Sequence, residues 1–277
     1  MDVKVKKRRV RSPVCAGIFY PDERKEILDY IRSFGLEEDH GGYAQAIIAP
    51  HGAWAYSGEH VVSAFSAAMG RSSYIKRVVI LGPIHDKREK GLFLSNSHYF
   101  NTPLGNIPVD QEITEELLFY GNHFEINDIP HLREHSIEIL LPFIKYCFPH
   151  ASIVPILMGQ PGAPYIYDLS QALKNVLAHV MEETLIVVSC NLSCNSDQTV
   201  ARHLAQECLR LFSAKDAPAL ASAIFDGRLN ACGGALVVSL FDSGLLDKTN
   251  AWYDSDSIVS AVGVENNTVY YSGMSFE

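Results

Sequence analysis

Residues 46–51 read Ala46-Ile47-Ile48-Ala49-Pro50-His51, and the fold turns on this stretch. Four consecutive apolar residues suit a strand covered on both faces better than an alternating, half-exposed one. Pro50 removes a backbone donor and ends the pairing. His51 then stands just past the strand's carboxyl end. Two further stretches repeat the pattern: Val78-Val79-Ile80-Leu81-Gly82-Pro83 leads to His85, and Leu185-Ile186-Val187-Val188-Ser189-Cys190 runs into Asn191 and Cys194. Around them the spacing predicts helices over 59–69, 111–120 (with Asp110 as N-cap), 137–148, 165–182, 199–212 and 235–241. Another strand is expected over 152–157, and two extended segments near 257–264 and 268–271. Fully apolar strands separated by helices predict an α/β fold, a three-layer α/β/α sandwich.

In open α/β sheets, ligands bind beyond the carboxyl ends of the strands. If the three strands are parallel neighbours, His51, His85 and the segment Asn191–Cys194 share one rim. Imidazole and thiolate together suit zinc, iron or copper rather than magnesium or calcium. Cys232, in Asn230-Ala231-Cys232-Gly233-Gly234, is a further candidate. The glycines allow a tight turn, and a thiol near a helix N-terminus favours the thiolate, which binds metals or attacks electrophiles. The alternative is a Cys simply packed at a helix start. Glu134-His135-Ser136-Ile137-Glu138 also reads two ways: His135 points into the pocket, or the segment is a capping cluster with Ser136 as the cap.

The chain has 277 residues, 47% hydrophobic and 20% charged. That is globular composition, and no apolar run approaches the ~18 residues of a membrane span. Six of the 23 basic residues lie within residues 1–11 beside one acid, so the rest carries 17 basic against 31 acidic residues. An acidic body disfavours nucleic acid as the main partner. Residues 1–11 read as a flexible basic tail and 12–277 as one domain, since no repeat, linker or composition break divides them. The tail lacks the apolar stretch of a secretion signal. Six cysteines without an export signal suit reduced thiols in the cytoplasm, not a disulfide framework.

At these residues the chain resembles the Memo family, whose prokaryotic members are called AmmeMemoRadiSam system protein B. The resemblance runs from about Pro13 to the C-terminus. It lies in Val14-Cys15-Ala16-Gly17-Ile18-Phe19-Tyr20-Pro21, in Ala46–His51 with Tyr56-Ser57-Gly58, and in Leu81-Gly82-Pro83-Ile84-His85. It continues in Thr102-Pro103-Leu104, in Glu134–Glu138 with Leu141-Pro142, and in Ala231-Cys232-Gly233. It implies a fold like that of the class III extradiol ring-cleavage dioxygenases, which use non-haem iron. It also implies a metal site at His51, His85 and Cys232, with no organic cofactor. The sequence departs from the pattern after the third strand. Where the family usually has Ser-Ser-Asp-(Leu/Phe)-(Ser/Cys)-His, this chain has Ser189-Cys190-Asn191-Leu192-Ser193-Cys194. Asn191 replaces the acid, and Cys194 the histidine that resembles the dioxygenases' acid/base. Gly52-Ala53-Trp54 likewise replaces the usual Ala-Gly-Tyr.

Three functions follow as expectations. The first is a mononuclear metal pocket for iron, copper or zinc, with ring cleavage impaired by the loss of a base worth ~10²–10⁴-fold. The second is an iron-dependent oxidoreductase with Cys194, Asn191 or His135 in catalytic roles. The third is a metal-free scaffold holding a small molecule or peptide.

Overall fold

The computed structural model describes residues 8–36, 42–253, 259–262 and 267–277. Among these, an eight-stranded sheet runs in spatial order Ala251–Tyr253, Met274–Phe276, Ala46–Ala49, Thr184–Ser189, Arg77–Pro83, Ser152–Met158, Leu92–Leu94 and Phe124–Ile126. The four middle strands are parallel. Ala46 pairs with Ile186, and Val78 with Leu185, so the three strands singled out above are immediate neighbours. Antiparallel Met274–Phe276 and Leu92–Leu94 flank this parallel centre.

Side chains alternate across the sheet, and helices cover both faces. Ile48, Val79, Val154 and Val188 pack with Leu169, Leu173, Phe212 and Leu240 of the helices Ala163–Leu177, Gln198–Ala214 and Gly234–Asp242. Ile47, Val78, Ile153 and Val187 pack on the other face with Ile31, Phe65 and Phe143 of Arg24–Ser33, Trp54–Ser66 and Leu141–Cys147. The α/β/α sandwich expected from the apolar strands is therefore the architecture observed.

Several boundaries move for local reasons. The helix expected over 137–148 is a 3-10 turn, Glu138–Leu140, followed by the α-helix Leu141–Cys147. Pro142 lacks a backbone N–H and sits in that helix's first turn, where no donor is needed. The helix expected from residue 59 starts at Trp54, whose indole N–H donates to the Ile139 carbonyl at 3.1 Å. Asp110 caps as expected, accepting the Ile113 N–H at 3.2 Å. Of the extended segments, Val259–Val262 and Thr268–Tyr271 are strands, while 257, 258, 263 and 264 lie outside the described residues.

The basic tail lies outside the described residues from 1 to 7, but its last residues belong to the fold. Val10–Arg11 form a short strand parallel to Tyr99–Thr102, and Arg11 is buried against Glu138. A boundary drawn after residue 11 thus leaves a paired strand on the tail side of the line. Composition misled here because Arg11 is as basic as its neighbours, yet its charge is answered internally.

Candidate metal centre

His51 leaves the end of the Ala46–Ala49 strand and is buried. Its Nδ1 lies 2.7 Å from Ser189 Oγ, and that hydroxyl donates to the Ser136 carbonyl at 2.7 Å. A hydroxyl has one proton, so toward His51 it must accept. The imidazole therefore carries its proton on Nδ1 and presents a bare Nε2, which faces Cys232 Sγ at 3.2 Å. The His51 backbone N–H donates to Asn191 Oδ1 at 3.0 Å.

Glu134 organises the other side. It is 5% exposed and accepts the backbone N–H groups of His85 (2.7 Å), His135 (2.8 Å) and Ser136 (2.9 Å). Its Oε1 is also 3.0 Å from Nδ1 of both His85 and His135. Burial alone would raise this carboxyl's pKa, but the hydrogen bonds from His135 and His85 outweigh it and hold the group well below the usual carboxylate range. An ionised carboxylate only accepts, so both rings turn Nδ1–H inward and Nε2 outward. A carboxylate behind each ligand imidazole is a familiar support of metal sites. The cap expected at Ser136 is not formed: the turn Glu138–Leu140 has no side-chain cap, Glu134 binds the N–H groups of the loop before it, and the Ser136 hydroxyl donates to the Pro83 carbonyl.

One donor atom from each of His51, His85 and His135 lies within 4.8 Å of the others. The His85 and His135 rings stack with centroids 4.6 Å apart, and Phe19 stacks on His135 at 5.0 Å. A cavity of about 130 Å³ adjoins them, bordered by Asp86 and Arg133. Gly82 makes the approach of the 134–137 loop feasible, since a Cβ there would meet Ile137 and Ser136 at 2.7 Å.

Cys232 completes the rim. Burial would raise its thiol, but Cys190, His51 and His85 outweigh that and push its pKa well down. Burial would likewise lower His85, but the contacts with Cys232 and Glu134 raise it to about 10. Burial holds His51 low. The two shifts are mutual: each group favours the charged form of the other. Gly233 is required by close approach: a Cβ would meet the Ser189 carbonyl oxygen at 2.3 Å. By contrast, burial and then Glu138 raise Cys15 to about 12, which marks that thiol as inert.

The remaining expected residues sit differently. Asn191 is tied to the His51 backbone, and its own N–H donates to Cys232 Sγ at 3.1 Å. It positions the loop rather than offering a proton. Cys194 is exposed on the strand Ser193–Asn195, which pairs with Thr268–Tyr271, and it lies outside the three-histidine group. Its thiol is raised, by burial first and then by the charge at Cys232.

A sequence profile described as Memo-like protein matches residues 11–251. The chain belongs to the Memo family. It is 29% identical to a MEMO1 family protein of Thermotoga neapolitana over 249 residues, covering 85% of this chain and 88% of that one. It is 32% identical to one from Thermotoga maritima, covering 68% and 72%, and 26% identical to one from Methanobrevibacter smithii, covering 87% and 90%. A solved structure of an uncharacterized protein from Escherichia coli K12 is similar with a TM-score of 0.47 at 11% identity, covering 83% of this chain and 98% of that one. No helix among the described residues of this Memo-family chain is long and apolar enough to cross a membrane.

Replacing Glu134 by Gln tests the support for the histidines. An amide offers one acceptor oxygen to five N–H groups that now share two. Metal affinity is expected to fall ~10–100-fold, measured by competition with a chromophoric chelator. Unchanged affinity would show that the carboxylate does not orient the rings.

Proposed function

We propose that this Memo-family chain holds a single metal ion of the zinc, copper or iron class, bound by Nε2 of His51 and His85 and by the Cys232 thiolate. One observation carries the reading: the Nδ1 of each imidazole is engaged by Ser189 or Glu134, which leaves Nε2 available to an ion, and His51 Nε2 faces Cys232 Sγ. Bond lengths of ~2.0–2.3 Å require donors roughly 3–4 Å apart, and the 3.2 Å separation of Cys232 Sγ from His51 Nε2 fits. A mixed imidazole and thiolate set excludes magnesium and calcium on grounds of softness. A bound ion would supply Lewis acidity or electron transfer at the cavity. Metal analysis of protein purified without a polyhistidine tag is the test. A preparation that contains no metal and takes up none of zinc, copper or iron would end the reading.

Uptake should depend on pH with a definite sign. His85 must lose the proton it holds up to about pH 10 before Nε2 can bind. Apparent affinity should therefore rise as pH rises from about 6 to 8, roughly tenfold per unit for that one displaced proton. A flat profile would contradict the assignment of His85.

His135 favours a second reading, a metal-dependent oxidoreductase. Its ring lies beside the cavity and is oriented by Glu134, the arrangement of an acid/base group with its positioning carboxylate. Under this reading His135 replaces the histidine absent at position 194. His135→Ala would then keep metal uptake and lose turnover of oxygen with a reduced substrate. Loss of uptake would instead make His135 a fourth ligand.

A further inference from the structure

Cys190 lies outside the proposed ligand set, yet it is packed against it. Its Sγ is 3.3 Å from the Asn191 carbonyl oxygen, and Cys232 Sγ is 3.7 Å from the same atom. The two side chains contact one another. The backbone beside Cys232 presses on Cys190 as well: a Cβ on Gly233 would lie 2.8 Å from Cys190 Cβ and 3.1 Å from its Cα. The two thiols also differ in access. Cys232 is partly exposed at the rim, whereas Cys190 is buried behind it.

An accessible sulfur backed by a buried neighbouring thiol is the arrangement of a reactive cysteine with its resolving partner. Disulfide geometry needs Cα atoms ~4.4–6.8 Å apart, and the loop bearing Cys232 already rests on the Cys190 backbone. We propose that Cys190 and Cys232 form a reversible disulfide under peroxide. In the first step the Cys232 sulfur attacks the O–O bond, giving a sulfenic acid and releasing water. In the second the Cys190 sulfur displaces the hydroxyl of that sulfenic acid, forming the S–S bond and releasing a second water. Two thiols are oxidised and one peroxide is reduced. The product withdraws Cys232 from His51 and His85, so oxidation and metal binding compete for one sulfur atom.

The experiment uses the full chain, freed of metal by chelator, so its outcome does not depend on whether the metal reading holds. The protein is treated with hydrogen peroxide, alkylated, and mapped without reduction by mass spectrometry. Cys190 and Cys194 share the tryptic peptide 175–202, and Cys232 lies in 229–248. A link between these two peptides is expected, with loss of the mass of two hydrogens that a dithiol reductant reverses. Cys194→Ser should keep the link. Cys190→Ser should abolish it and leave Cys232 accumulating added oxygen. No link in the wild type, a link lost in Cys194→Ser, or a link to the Cys208 peptide would overturn the assignment. Circular dichroism of each variant shows whether it is folded before its map is read.

Discussion

Protein carrying His51→Ala is expected to take up no stoichiometric metal, with affinity lowered by more than ~100-fold, because removing a ligand should exceed the ~10–100-fold cost of removing its supporting partner. His51 is the most constrained of the three histidines: buried, fixed by Ser189 on one side, and facing Cys232 on the other. His85→Ala should behave likewise, whereas Cys194→Ala should bind as the wild type does, since Cys194 is exposed on the separate small sheet. The measurement is metal per chain after gel filtration. Equal metal content in His51→Ala and wild type would show that binding occurs elsewhere.

Glu138→Ala is expected to lower the unfolding free energy by ~3–5 kcal/mol, the cost of leaving a buried charge without its partner. Glu138 is 1% exposed and Arg11 2%. The carboxylate takes the Arg11 guanidinium, the N–H groups of Val14 (2.9 Å) and Cys15 (2.7 Å), and the Tyr20 hydroxyl at 3.1 Å. Its loss leaves Arg11 with the carbonyls of His131 and Ser12 and the face of the Phe100 ring, and no counter-charge among these. Urea unfolding followed by fluorescence reads the change. Arg11→Ala should cost a similar amount, and the double variant less than the sum, because the two share one interaction. A loss below about 1 kcal/mol in Glu138→Ala would place the pair in the class of exposed ion pairs.

Much of the fold was legible because its central strands are apolar throughout, as residues 46–49, 78–81 and 185–188 are. That pattern fits one architecture, and it places His51 and His85 at the ends of strands that lie in one parallel centre, where the two side chains meet. The edge and satellite strands were not legible. Val10–Arg11, Leu92–Leu94 and Ser193–Asn195 are two or three residues long, too short for any periodicity. The helix Arg24–Ser33 was missed because it buries only Ile27 and Ile31 among polar residues. His135 could be named but not placed. It follows no strand, and its position depends on Glu134 and on the close packing of Ser136 and Ile137 against Gly82, neither of which leaves a spacing signal. Cys194, expected beside the pocket, is exposed, because the segment after Ser189 enters a small separate sheet, which no spacing announces.

The single carboxylate behind His85 and His135 has a mechanical consequence. One oxygen of Glu134 takes the Nδ1 of both rings, and its neighbours on the backbone fix the carboxylate itself. The two imidazoles therefore behave as one jaw of a vice, unable to rotate apart without releasing a buried anion. The opposing jaw is the loop bearing Cys232, held by a glycine contact and by hydrogen bonds to Asn191. Any change in grip, for an ion of different radius or a guest in the cavity, must come from that second jaw.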